Sequence, residues 1–299
     1  MIASLRHIVL LGLLTGALAV PSTAWAQSGP ATIELTGTVR DFYEHTANPP
    51  GQLRAHPDME VQPDHGFGLY CGNVATSLDS HGKPVFTGEG FKVLTQAKDA
   101  EGRPICWALV DSGLGDSAEV RGPDDDGGIK NTWSFKKWFR DRCRWNLSKP
   151  LTLQFVRQSD GSYVFDDTLD STYNQLGGFF PIEDQLFGNP GGSPNRNFHF
   201  TFELQTEFTY DEEASNMFEF IGDDDVWVYI NGQLVIDLGG VHGATHQYVE
   251  LNRLGLEDGE SYSLHFFFAE RHRTQSNFRI VTDLQLGCPN PPPMTAAFD

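Results

Sequence analysis

The sequence predicts an all-β fold, an antiparallel β-sandwich with loop insertions and one short helix. Three observations carry that reading. Short apolar, β-branched and aromatic runs recur between turn signals from Ile33 to Leu286. Asn231-Gly232 divides two such runs, Val226 to Ile230 and Leu234 to Ile236, as a hairpin turn does, because both central positions need φ > 0. Only Asn131 to Arg144 reads as a helix, and no repeat period points to a solenoid.

Residues 1–26 open with Arg6 and His7, continue as an apolar run from Ile8 to Val20 and end in Ala24-Trp25-Ala26. That is the pattern of a secretory signal peptide cleaved before Gln27, with a run too short to span a bilayer. Cleavage removes one cation and no acid, leaving 20 basic against 40 acidic residues. So acidic a chain makes a poor nucleic-acid ligand and a plausible cation binder. Cys71, Cys106, Cys143 and Cys288 form no close zinc-type pairs, and an even count in an exported chain predicts two disulfides with connectivity open. A Cys143–Cys288 bond would clamp the end of the fold to its middle, contributing roughly 2–4 kcal/mol.

Ile33, Leu35 and Val39 alternate along a first strand, Ala31 to Phe42, in which Gly37 signals a bulge or bend. A polar loop covers Asn48 to Asp64, and Leu78 to Phe86 reads as a turn entering a short strand. Phe91 to Gln96 and Ile105 to Val110 read as strands, and GPDDDGG, Gly122 to Gly128, as a solvated loop. In the helix, aromatics pack one side inward, while Lys136, Lys137, Arg140, Arg142 and Arg144 read as a solvated face. Leu151 to Val156 and Ser162 to Phe165 flank the hairpin signal Ser159-Asp160-Gly161. A Gly- and Pro-rich loop, Gly177 to Pro194, then leads into the alternating strand Phe198 to Tyr210. Alternation returns at Tyr262 to Phe268 and Phe278 to Leu286.

The central stretch is MFEFIGDDDVWVYINGQLVIDLGGVHG, Met217 to Gly243. Apolar residues fall on both faces of Val226 to Ile230, as suits a strand inside a two-layer sandwich. Asp223, Asp224 and Asp225 crowd its entrance, so a cation must compensate them. With FHFTFELQTEFTY before it and YVELNRLGLEDGESYSLHFFFAERHRTQSNFRIVT after it, this stretch closely resembles the fibro-slime domain, a branch of the PA14 β-sandwich superfamily. The resemblance covers Asn195 to Leu286. It divides the chain into an N-terminal part of an elaborated β domain (27–194, helix near 131–144), a PA14-like core (195–287) and a tail (288–299).

In sugar-binding adhesins of that superfamily, two successive aspartates joined by a cis peptide hold calcium. The resemblance places Asp223 and Asp224 in those positions, Asp225 where the broader pattern has glycine, Asn277 as a third metal ligand in the late loop, and His242 near the site. Calcium takes six to eight oxygens in flexible geometry, and Glu270 and Asp237 are further candidates from adjacent loops. An unfilled coordination shell would let vicinal sugar hydroxyls complete it. Alternatively the acids are satisfied by backbone N–H groups, with Asp237 capping the Leu238-Gly239-Gly240 turn.

The resulting expectation is a secreted calcium-dependent carbohydrate-binding or adhesive domain. Its partners would be a glycan, a polysaccharide or components of a cell surface or matrix, without nucleic acid or a membrane span. The alternative is a structural matrix or surface-assembly protein in which calcium only rigidifies loops. Adjacent Asp223 and Asp224 are poorly placed for glycoside hydrolysis, which needs two carboxyls about 5–9.5 Å apart across the scissile bond. No nucleophile-elbow, HExxH or phosphate-loop motif supports another enzyme.

Overall fold

A computed structural model describes residues 29–286; the expected signal peptide, Cys288 and the 288–299 tail lie outside the described residues. The strands are β1 (Thr32–Phe42), β2 (Tyr70–Cys71), β3 (Phe91–Thr95), β4 (Val120–Asp124), β5 (Asn146–Arg157), β6 (Tyr163–Asp166) and β7 (Phe200–Thr209). They continue as β8 (Met217–Gly222), β9 (Asp225–Ile230), β10 (Gln233–Leu238), β11 (Thr245–Glu250), β12 (Ser261–Glu270), β13 (Phe278–Thr282) and β14 (Gln285–Leu286). The helices are α1 (Thr132–Phe135) and α2 (Ser171–Leu176). All strand pairs are antiparallel, in an 11-stranded sheet of order β10-β9-β12-β7-β1-β5-β6-β13-β8-β11, with β14 beside β7, and a small β2-β3-β4 sheet.

The large sheet folds over so that its halves face each other. Phe278 of β13 lies 5.1 Å from Phe268 and 5.5 Å from Phe266 of β12, ring to ring, and Phe220 of β8 lies 5.6 Å from Phe266. These are the alternating residues of the sequence pattern, and burying each aromatic is worth roughly 1.5–3 kcal/mol. The hairpin forms as expected: Ile230 pairs with Gln233 across Asn231 (φ 50°) and Gly232 (φ 75°).

Both faces of β9 are buried, though not solely by a second sheet layer. The insertion between β1 and β5 lies over its outer face as a third layer. Phe135 and Trp138 sit 5.5 and 6.0 Å from Trp227, Phe139 sits 4.9 Å from Phe267, and Tyr229 donates to the Ala75 carbonyl (2.8 Å). This layer explains the corrected helix. Asn131 and Ser134 form a capping box, but regular α structure ends at Phe135, and Lys137 and Trp138 bond three residues back. Phe135, Trp138 and Phe139 pack inward as their spacing implies, but Lys137 is buried rather than on a solvated face and Trp133 is exposed; the Trp138 carbonyl accepts from Thr201 Oγ1.

Other local expectations also change. Ile105 to Val110 contains a 3-10 turn, Trp107–Leu109, in place of a strand. GPDDDGG contributes Gly122 to Asp124 to β4, and the Asp125 side chain is buried against His65. Gly37 lies in unbroken register opposite Leu151; a Cβ there would stand 2.2 Å from the Glu203 carbonyl, so it marks close approach, not a bulge. The second helix, α2, is set by an Asp170 cap that accepts from Thr172 and Tyr173 and by left-handed Gly177.

Among the described residues no disulfide forms, which corrects the expectation for Cys71 and Cys106; a Cys143–Cys288 bond involves a residue outside the described ones. Cys71 and Cys106 are free and buried, acting as small core residues, and Cys143 is free and exposed. Burial pushes both inner thiols well above the ordinary cysteine range. In the native protein, a thiol reagent should therefore label Cys143 within the sequence 29–286 and reach Cys71 and Cys106 only on unfolding. Equal native rates at all three, read by mass spectrometry of peptides, would contradict the burial.

Candidate functional site

Three connections converge at one end of the sandwich: the β8–β9 turn with the aspartates, the β10–β11 loop with His242, and the β12–β13 loop from Glu270 to Asn277. Gly222 lets them meet, since a Cβ on it would lie 2.2 Å from the Asn277 carbonyl oxygen. The Asp223–Asp224 peptide is cis.

Asp223 Oδ1 accepts from the Asn277 amide nitrogen (2.5 Å) and Oδ2 from Asn277 Nδ2 (2.7 Å), so the Asn277 side-chain oxygen faces away from Asp223. Asp224 accepts only two long backbone bonds, from His242 (3.2 Å) and Arg271 (3.3 Å). Asp225 is fully compensated: Arg271 Nε donates to Oδ2 (2.5 Å), and Nη2 (3.3 Å) and the Gly240 N–H (2.7 Å) reach Oδ1. Arg271 is fully buried, bonded also to the Gly127 carbonyl and stacked 5.6 Å from the Trp138 ring. It is the compensating cation that the sequence demanded without locating.

Glu270 completes the group. Both its carboxylate oxygens are buried without a partner in good hydrogen-bond geometry, the Ser276 hydroxyl and the His272 N–H lying near enough only to temper its carboxyl. Burial, then the neighbouring Asp224 and Asp223 charges, drives its carboxyl well above the usual range. Burial likewise raises Asp224 far up, against the pull of Arg271, and raises Asp223. With Arg271 committed to Asp225, three nearly buried carboxyls share the end of the sandwich without a cation of their own.

The other candidates sit differently. Asp237 lies in the core, where Trp227 Nε1 (3.0 Å) meets Oδ1 while Trp107 Nε1 (2.7 Å) and the Gly72 N–H (2.8 Å) meet Oδ2. Burial lifts its carboxyl to about 6. It anchors the small sheet to the hairpin, a role the sequence did not disclose because Trp107 and Gly72 are far away in the chain. His242 reaches the site through its backbone N–H; its ring nitrogens lie 3.0 Å from the Gly243 carbonyl and 3.5 Å from that of Leu238.

A second titratable cluster went unseen in the sequence. Glu44, Glu60 and His199 bring ligand-type atoms within 4.8 Å of one another, a possible metal group by composition. Arg273 already bonds both acids, at 2.8 and 3.1 Å, and His199 Nε2 lies 2.8 Å from Glu60. Burial opposes ionisation of Glu60, but the His199 bond and the His272 and Arg273 charges outweigh it and hold the carboxyl low. The cluster fastens the β12–β13 loop, because the Glu60 N–H also donates to the Arg271 carbonyl (2.6 Å).

The site thus belongs to a class: an antiparallel sandwich with a paired-aspartate turn at the mouth of a buried strand. Comparison with known proteins places it further. The PA14 domain family profile matches residues 189–296, so this part of the chain is similar to PA14 domains. Protein psiI of Dictyostelium discoideum is 43% identical over 152 residues, 48% of this chain and 20% of that one. Protein psiQ of the same organism is 34% identical over 197 residues, 62% of this chain and 19% of that one. The chain therefore spans about a fifth of the length of these relatives. A solved structure, the PA14 domain of MpAFP antifreeze protein, aligns with a TM-score of 0.24 and 13% identity over 46% of this chain and 66% of that one.

Removing the guanidinium while keeping its length, Arg271→Met, should strand Asp225 without a counter-charge and cost about 3–5 kcal/mol of unfolding free energy. Urea denaturation measures it. A loss under about 1 kcal/mol would show that the pair does not govern the loop.

Proposed function

We propose that this chain is an exported, non-catalytic binding module that holds calcium at Asp223, Asp224 and Glu270, with Asn277 beside them, and uses that site to engage glycans. One observation carries the reading: the Glu270 carboxylate is buried without a well-placed partner for either oxygen and feels the charges of Asp224 and Asp223, while the nearest buried cation is spent on Asp225. Hard, oxygen-rich and flexible, such a donor set suits calcium. When bound, the ion would supply positive charge to ionised carboxyls and bring together the three connections that carry them. Asp223 and Asn277 orient each other, His242 and Arg271 fix Asp224 through their backbone N–H groups, and Arg271 keeps Asp225 out of the coordination set. The PA14 match supports a carbohydrate or surface-component ligand, and the leader pattern supports export.

A second reading, calcium as a stiffener of loops in an assembly protein, is favoured by burial. Asp223 and Asp224 are 2% and 3% exposed, leaving little room for a sugar to reach the ion directly. Glycan arrays probed with calcium and with chelator separate the two readings: calcium-dependent retention on any glycan supports the first, and calcium binding without retention supports the second.

Calcium at about 100 times its Kd should stabilise the native state by roughly 2.7 kcal/mol. Glu270→Gln removes the charge at constant size, so its melting temperature in chelator should equal or exceed that of the wild type while the calcium-induced rise disappears. Asp224→Asn should also lose the rise. Asp225→Asn should melt lower throughout yet keep it. Calcium that leaves the wild-type melting curve unmoved, with no heat of binding, would remove the site.

The pH dependence has a definite sign. Glu270 and Asp224 have raised carboxyls in the folded state, so the native protein binds more protons than the unfolded chain above the ordinary carboxylate values near 4. Their contribution to stability is greatest below those values and is lost as pH rises through the folded pKa. In chelator, stability from these groups should therefore climb as pH falls from neutrality toward 5, and calcium should flatten that slope by holding them ionised. An identical slope with and without calcium would contradict the assignment.

A further inference from the structure

The exposed side chains near the two ends of the long strands differ in charge, the carboxyls of Asp223, Asp224 and Glu270 at the first end being buried. At one end, α1 exposes Trp133 (58%), packed edge-on to Trp145 at 5.0 Å, with the Lys137 ammonium over both rings and the Arg54 guanidinium 5.6 Å from Trp145. Arg40 and Arg140 are taken by Asp141 and Asp79. Among the described residues, exposed Arg54, Lys136, Arg142 and Arg144 have no carboxylate in salt-bridge range. A large exposed indole amid unpaired cations, in a chain of net charge −19, is an unmatched surface.

At the other end, the β7–β8 loop and the loop between the 3-10 turn Leu251–Leu254 and β12 expose Asp211, Glu212, Glu213, Glu257, Asp258 and Glu260, none of them ion-paired among the described residues. The two loops are tied together: the Glu212 N–H donates to Asp258 (3.0 Å), and Tyr210 exchanges backbone bonds with Gly259 and Glu260. Register fixes the separation. Phe200 pairs with Asp41 and Glu270 at the basic end, where Phe42 meets Asn146, and Thr209 pairs with Ser261 at the acidic end. Ten-residue β7 therefore holds the poles about 30 Å apart.

We propose that the Trp133–Arg144 face docks the acidic double loop of a second copy of this chain, head to tail. The poles are different surfaces on one molecule, so the contact is heterologous and continues into a filament unless its rotation closes a ring. A second copy suits the face better than an extended polyanion. It presents its carboxylates concentrated on two joined loops, complementary in charge to the face, whereas a long polymer would also run over the surface of a chain of net charge −19.

Sedimentation velocity of the full chain, in chelator so that calcium plays no part, tests this independently of the metal site. At about 0.15 M salt the sedimentation coefficient should rise with concentration past that of a dimer, and return to the monomer value near 1 M. The variant Arg142→Ala with Arg144→Ala, and the variant Glu257→Ala with Asp258→Ala, should each stay monomeric, and mixed in equal amounts they should form a dimer and nothing larger. Trp133→Ala should weaken association without changing the salt dependence. A wild type that stays monomeric at every concentration overturns the proposal, as does association unaffected by either double variant. A monomer that instead binds polygalacturonate through Arg142 and Arg144 would also overturn it and assign the face to anionic polysaccharide.

Discussion

The buried ion pair between Arg271 and Asp225 determines what the rest of the aspartate turn can do. A carboxylate with 0% exposure at the mouth of β9 requires a counter-charge, and the bidentate guanidinium supplies it from the neighbouring loop. Arg271 also reaches the Gly127 carbonyl and the Trp138 ring, so a single side chain ties the sandwich to the overlying insertion. Once Asp225 is matched, the charge left over falls on Asp223, Asp224 and Glu270. Three adjacent aspartates thus differ in kind: Asp225 is the partner of a buried guanidinium, and Asp223 and Asp224 are buried carboxyls held by backbone N–H groups and Asn277.

Much of the sandwich was legible in the sequence because its aromatic strands alternate cleanly and its hairpin carries Asn-Gly. Phe202, Leu204, Phe266, Phe268, Phe278 and Ile280 all face the core as their spacing foretells. The insertion was less legible because its residues are buried against distant partners rather than by local periodicity. Lys137 illustrates this: helical spacing puts it among charges, but two indoles enclose it. The location of Arg271 was hidden for the same reason, although the basic run Arg271-His272-Arg273 directly after Glu270 was a signal in plain view.

The fastening cluster around Glu60 gives the β12–β13 loop its second anchor. Arg273 spans Glu44, next to the end of β1, and Glu60, in the insertion, while His199 joins from the start of β7. Glu270 and Asn277 therefore hang between two fixed points, Arg271 and Arg273 on one side and the Asp223–Asn277 bonds on the other. Preorganisation of this kind lowers the entropy lost when a ligand orders the loop.

The β1–β5 ladder has a consequence for how the molecule is made. It joins Thr32 to Val156 and Phe42 to Asn146, and with β6 it is the bridge between the two halves of the large sheet. The strands synthesised first, β1, β5 and β6, therefore have two of their six hydrogen-bonding edges open until β7 and β13 emerge, and an apolar face unmatched until β12 and β13 pack on it. Such long-range pairing delays folding, because loops must close before contacts reward them. Commitment to the native state comes late, when nearly the whole chain is present, and the stretch matching the PA14 profile depends on strands encoded well ahead of it.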